Sequence, residues 1–181
     1  MRRSLAQAVK GLVLLWGLGA AAMAQADNSA ADIKTAFIYN FAKFVEWPRS
    51  AFQDDHSPLH LCLWGQPMEG RLNLLNGREA QGRPIRVRSV DSVDSVPGCH
   101  ILVVGDTSDS IRAQLLQAPA RSPVLTISDS RDFTQQGGMI GLFVAASRVQ
   151  FSVNLGAAQS AGLKMSARML QLAHGVRGGT P

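Results

Sequence analysis

The run Cys99 to Gly105, CHILVVG, constrains this chain more than any other stretch. It is apolar at consecutive rather than alternating positions, the pattern of a central parallel strand covered on both faces. Such a strand needs a layer of structure on each side, so its neighbours must supply helices as well as strands.

They do so in alternation. Ser29 to Asp32 has the form of a capping box with Asp in place of Glu, and Ile33, Phe37, Asn40, Phe41 and Phe44 then recur at helical spacing. This predicts a first helix with Phe37, Phe41 and Phe44 in the core, stopped by Pro48 after Glu46-Trp47. Leu59 to Trp64 predicts a strand, and Pro67 opens a short helix carrying Met68, Leu72 and Leu75 up to Asn76-Gly77. Arg83 to Val90 alternates like an edge strand, its arginines giving edge protection. Ser108 to Gln117 predicts a helix with Ile111, Leu115 and Leu116 inward, and Pro123 to Ser128 another strand.

Met139 to Ala145 and Arg148 to Val153 then form paired strands, and Asn154 caps a helix after them. There, Ala158, Gly162, Met165, Met169 and Leu172 make one apolar stripe, with Lys164, Arg168 and Gln171 opposite, predicting one long amphipathic helix. The expected fold is α/β: a single-domain layered sandwich with a mainly parallel sheet flanked by helices.

The first residues address the compartment. Arg2, Arg3 and Lys10 precede an apolar run, Gly11 to Ala22, and a small-x-small site, Ala22-Met23-Ala24. This is the pattern of a secretory signal peptide over residues 1–24, leaving a domain of residues 25–181, with Ala24-Gln25-Ala26 as a second cut site. No Cys follows the apolar run, which argues against a lipoprotein. Removing those three basic residues lowers the net charge from +5 to +2, too little to draw nucleic acid.

Cys62 and Cys99 are the two cysteines. In an oxidising compartment an isolated pair is most simply one disulfide, provided the ends lie close enough. A metal site or a reactive thiol lacks support, since no CxxC occurs and only His60 and His100 lie nearby.

Catalytic signatures are missing. The turn Gly65 to Gly70 places Pro67 and Met68 where a pyrophosphate would need bare backbone, and Gly105 to Ser108 carries Asp106, as a helix cap does. There is no GxSxG and no HExxH. Asp129 and Asp132 follow a strand end but are ordinary turn residues. No catalytic residue, metal or cofactor is expected. Tyr39 and Trp47 fall off the first helix's apolar stripe and are candidates for an exposed surface.

Three blocks resemble the YfiR-like family of secreted bacterial proteins: IKTAFIYNFAKFVEWP at Ile33 to Pro48, VLTISD with the following GGMI at Val124 to Asp129 and Gly137 to Ile140, and RVQFSVNLGAAQSAGLKMSARMLQLA at Arg148 to Ala173. The first is the most specific, and the blocks occur in the family's order. Cys62 and Cys99 match a disulfide pair of its best-known member, whose further Cys pair is absent here.

The resemblance implies a periplasmic, non-catalytic regulator. Its expected partner is the periplasmic domain of an inner-membrane diguanylate cyclase, held inactive so that cyclic-di-GMP and biofilm formation stay low. An outer-membrane lipoprotein of peptidoglycan-binding type can sequester the regulator, and homodimers are compatible with the family. Tyr39, Glu46, Trp47, Lys164 and Arg168 are the candidate partner-binding residues, because aromatic and Arg side chains are common anchors. Two other classes stand beside this one: a small-molecule-binding module with an apolar pocket near Trp47 or Trp64, and an adaptor of an envelope complex.

Overall fold

The computed structural model describes the backbone of residues 17–118 and 122–178, and side chains from residue 30 onward. Helix α1 spans Gly17–Phe44. It starts upstream of Ser29, because the Ala-rich stretch before it favours helix and nothing at Ser29 breaks it. The expected capping box is therefore interior. Of the expected leader, the basic residues lie outside the described part of the chain. Among the described residues no helix is long and apolar enough to cross a membrane.

The strands are β1 (Val45–Glu46), β2 (Leu59–Trp64), β3 (Glu79–Ala80), β4 (Arg83–Val90), β5 (Ile101–Val104), β6 (Leu125–Ser128), β7 (Ile140–Ala145), β8 (Arg148–Asn154), β9 (Lys164–Met165) and β10 (Gly175–Arg177). Eight of them form one sheet in the order β10-β8-β7-β6-β5-β2-β4-β3. The sheet is mixed, with five of its seven pairings parallel. It is parallel from β4 through β2, β5 and β6 to β7, but β8 and β3 pair antiparallel with their neighbours β7 and β4. The β7–β8 hairpin turns at Ala146 and Ser147, both with positive φ as a two-residue hairpin turn requires. Strand β4 is only partly an edge, since β3 covers one end of it.

All four residues of β5 are buried, as its sequence demands. They divide between two apolar clusters by the period of two. Ile101 and Val103 join Leu61, Leu63, Leu125 and Ile127 beneath Ile38, Phe41 and Ala42 of α1. Leu102 and Val104 join Cys62 and Val124 beneath Leu115, which belongs to helix α2 (Asp109–Gln117). Cys62 and Cys99 form a disulfide with Cα atoms 5.9 Å apart, closing a separation of 37 residues. On the chain-entropy model a loop of that size contributes roughly 3–4 kcal/mol.

Two local expectations fail for identifiable reasons. Pro67–Leu75 is a broken 3-10 segment rather than a helix, with Met68, Glu69 and Gly70 in the left-handed region. The expected long terminal helix is two short ones, α3 (Leu155–Ser160) and α4 (Ala167–Leu172), with β9 between them. Gly162, at φ +75°, stops α3: the Gly162 N–H donates to the Gln159 carbonyl, and the Leu163 N–H donates to the Ala158 carbonyl. Ser166 then caps α4 by accepting the Met169 N–H at 3.2 Å.

Candidate functional site

The break at Gly162 turns Lys164 and Met165 into a strand, and that strand seeks a partner. It pairs antiparallel with β1, which sets Glu46 beside Lys164 and Val45 beside Met165. Extended pairing at Val45 and Glu46 also ends α1 at Phe44, ahead of Pro48. Helix α4 therefore begins next to the end of α1, where the Ser166 N–H donates to the Phe44 carbonyl.

Between α1, α4 and β8 lies a shallow groove of about 80 Å³ lined by Phe37, Phe41, Phe44, Phe151, Met169 and Leu172, with Asn40 and Arg168 also lining it. Phe37, Phe41 and Phe151 form its floor, their ring centroids 5.1–6.0 Å apart. Phe44 and Leu172 stand up from it, 41% and 70% exposed. Glu46, Lys164 and Arg168 are exposed, and none of the three has an ion-pair partner among the described residues. The groove is thus an apolar strip with both signs of charge at one end, the composition of a small protein-docking surface.

Three of the five residues singled out in the sequence, Glu46, Lys164 and Arg168, belong to this region. The other two do different work. Trp47 is buried, which corrects its expected exposure, and its indole N–H donates to the His100 carbonyl at 3.2 Å. Tyr39 is half-buried and fastens α1 to the sheet edge, its hydroxyl donating to the Glu79 carbonyl at 2.8 Å under the guanidinium of Arg78. Phe44 and Leu172, expected in buried stripes, instead form the groove's exposed walls. Gly162 and Ser166 are the signal in the sequence that releases Leu172 from the stripe.

A second, larger cavity of about 510 Å³ opens at the amino ends of β2, β5 and β6, lined among others by Phe52, Ser57, His60, Cys99, His100 and Ser122. Neither Trp47 nor Trp64 lines it. His100 is its hub. Its Nδ1 accepts the His60 backbone N–H at 3.0 Å, so the proton sits on Nε2, which donates to the Ala51 carbonyl at 3.1 Å. Burial pushes His100 down to about 4, opposed by the Ala51 bond and reinforced by His60 and Arg83. Burial, then Arg88, also lowers His60. The two imidazoles stack, 5.7 Å apart, and Phe52 stacks against His100 at 4.4 Å.

The arginines of β4 are not a uniform protective row. Arg83 donates to the Asp54 and Ser57 carbonyls and lies 3.8 Å from the Phe52 centroid. Arg88 donates to the Ser95 carbonyl and to Cys99 Sγ. Arg86 alone is a solvated charge on the outer face.

At the opposite, carboxyl end of the sheet, where α/β proteins usually bind ligands, the space between β2 and β5 is closed. The Gly105 N–H donates to the Trp64 carbonyl at 3.0 Å, and a Cβ at Gly105 would lie 3.2 Å from the Pro67 nitrogen. Ser108 caps α2 by accepting the Ile111 N–H. Asp129 pairs with Lys34 of α1 at 3.7 Å. Among the described residues no cluster of His, Cys, Asp or Glu could hold a metal ion.

The profile of a family described as YfiR/HmsC-like matches residues 31–174. A crystal structure of a conserved domain protein from Vibrio cholerae O1 biovar El Tor is similar at 10% identity and a TM-score of 0.46, covering 66% of this chain and 55% of its own. The chain therefore spans about half the length of that protein. The family match extends over most of the chain, from α1 to just past α4, and the chain belongs to the YfiR/HmsC-like family.

Proposed function

We propose that this member of the YfiR/HmsC-like family is a periplasmic repressor: it binds the periplasmic domain of an inner-membrane diguanylate cyclase and holds the enzyme inactive. Membership implies a periplasmic regulator in diguanylate cyclase signalling. The observation that carries the finer reading is the α1–α4 groove, where exposed Phe44 and Leu172 lie near the unpaired charges of Glu46, Lys164 and Arg168. Apolar residues at the centre supply affinity on desolvation, and charges at the margin select the partner and its orientation.

Repression requires no chemistry. A protein that binds the off state of the cyclase more tightly than the on state shifts its population by that difference in affinity. A lipoprotein of peptidoglycan-binding type that competed for the same groove would release the enzyme and raise cyclic-di-GMP. In this reading the leader expected at residues 1–24 would export the chain to the compartment of both.

The test is capture of the cyclase's periplasmic domain by the oxidised protein and by Lys164→Glu/Arg168→Glu. Reversing two exposed charges should weaken binding by at least tenfold and raise cyclic-di-GMP, with stability altered by no more than about 0.5 kcal/mol. Unchanged binding and repression remove this surface. Capture of a different envelope protein instead would favour an adaptor.

A further inference from the structure

We infer that the cavity at the amino ends of β2, β5 and β6 is a binding site for a small organic carboxylate. The site is separate from the groove and stands whether or not the cyclase reading holds.

Room and construction come first. At about 510 Å³ it falls within the size range of metabolite pockets, roughly 300–1,000 Å³. Its rim, residues 50–58, is a loop that would otherwise be free, yet it is tied to the sheet at several points. His100 holds the Ala51 carbonyl, Arg83 holds the Asp54 and Ser57 carbonyls, and Phe52 is stacked on His100 with Arg83 against its ring. The floor includes Cys99 of the disulfide. A pocket fixed in this way loses little freedom when a ligand enters.

Its chemistry is one-sided. The polar side chains in the lining, besides His100, are Ser50, Gln53, Ser57, His60 and Ser122, and none is an acid. Arg83 and Arg88 lie behind the wall, and their hydrogen bonds go to backbone carbonyls and to a sulfur, with no carboxylate among their partners in the described residues. The nearby acids sit on the rim loop outside the lining. Asp54 accepts the His56 N–H and the Ser57 hydroxyl, and Asp55 pairs with Arg49 at 3.3 Å. The lining therefore offers hydrogen-bonding groups and no acid, with two guanidinium groups behind it, a combination that favours an anion over a cation.

His60 lines the cavity, and one nitrogen of its ring, set just behind the surface, has no partner among the described residues. His60 Nδ1 is buried without a hydrogen bond, while its neighbour His100 has both ring nitrogens satisfied. A neutral imidazole in the Nδ1–H form would be a donor, and His60 is held neutral by burial and Arg88.

Benzoate and its uncharged isostere benzamide separate the charge from the shape. Imidazole ¹H–¹⁵N spectra of the oxidised protein, with calorimetry alongside, should show saturable benzoate binding with a Kd on the order of 1 mM. The His60 resonances should move, and benzamide should bind at least tenfold more weakly. Gln53→Glu puts a negative charge on an exposed rim residue and should weaken benzoate at least tenfold, while Ser122→Trp should abolish binding by filling the space. Equal binding of benzamide, binding indifferent to both substitutions, or no saturable change in the His60 signals overturns the assignment. Circular dichroism of each variant confirms that a loss comes from the site and not from unfolding.

Discussion

The α1–α4 groove and the histidine cavity are both concave and both sit beside the sheet, but their side chains are left in opposite states. In the groove two large apolar side chains are exposed and the nearby charges have no ion-pair partners among the described residues, so the surface is complete only when something covers it. In the cavity Ser57 and His100 are already engaged within the chain, and the remainder is an open volume with one unpartnered imidazole nitrogen in its wall. The difference separates a surface that recognises another macromolecule by area from a pocket that recognises a small molecule by charge.

The sharpest way to break that comparison is inside the groove, at two phenylalanines one turn apart. Phe41 is 2% exposed and touches both Phe37 and Phe151, whereas Phe44 is 41% exposed. Phe41→Ala should destabilise the protein by about 3–5 kcal/mol, the cost of a core cavity, and Phe44→Ala by less than about 1 kcal/mol. Denaturant unfolding of the two variants measures the gap. Similar losses would mean that Phe44 is core and that the groove is not an open surface.

The next contrast is in pH. The groove's charged residues are exposed, but the cavity depends on a neutral His100. Its folded value is about 4 against an ordinary 6.5, so the unfolded chain takes up a proton first as pH falls. Stability is complete above about pH 6.5 and declines between there and pH 4, by roughly 2 kcal/mol at pH 5 before solvent screening trims it. Protonation would also set an Nδ1–H against the His60 N–H. His60, lowered in the same direction, adds to the slope. Melting curves from pH 7 to pH 4.5 should show the decline in the native chain and a shallower one in His100→Phe. Equal slopes would remove His100 as the cause.

How legible these regions are in the sequence follows the same division. The central strand, the flanking strands and the Cys62–Cys99 pair are readable because each is specified by residues local to it: an apolar run, an alternation, an isolated pair. The mixed character of the sheet is half-legible, since the β7–β8 hairpin shows in the alternation of its strands but the direction it imposes on β8 within the larger sheet does not. The cavity is hardly legible. His60 and His100 are 40 residues apart, and only the parallel pairing of β2 with β5 stacks them. Trp47 defeats a helical wheel because the chain before it has already left the helix for an extended pairing with β9.

Gly162 is where pattern and physics diverge most, and it supplies the smallest of these tests. As a stripe position it is one small residue in a good helix, and Ala there should stabilise by nearly 1 kcal/mol. As the residue that closes α3 at φ +75° it is a left-handed position that glycine adopts without strain, and Ala should cost about 1 kcal/mol. Nothing lies within 4 Å of a Cβ built there, so sterics with neighbouring atoms play no part and the sign reports backbone conformation alone. A loss of about 1 kcal/mol in Gly162→Ala places the break, with β9 and the Glu46–Lys164 register that depends on it, in the folded protein. A gain would restore the continuous helix, pull Lys164 away from Glu46, and take the groove's charged end apart.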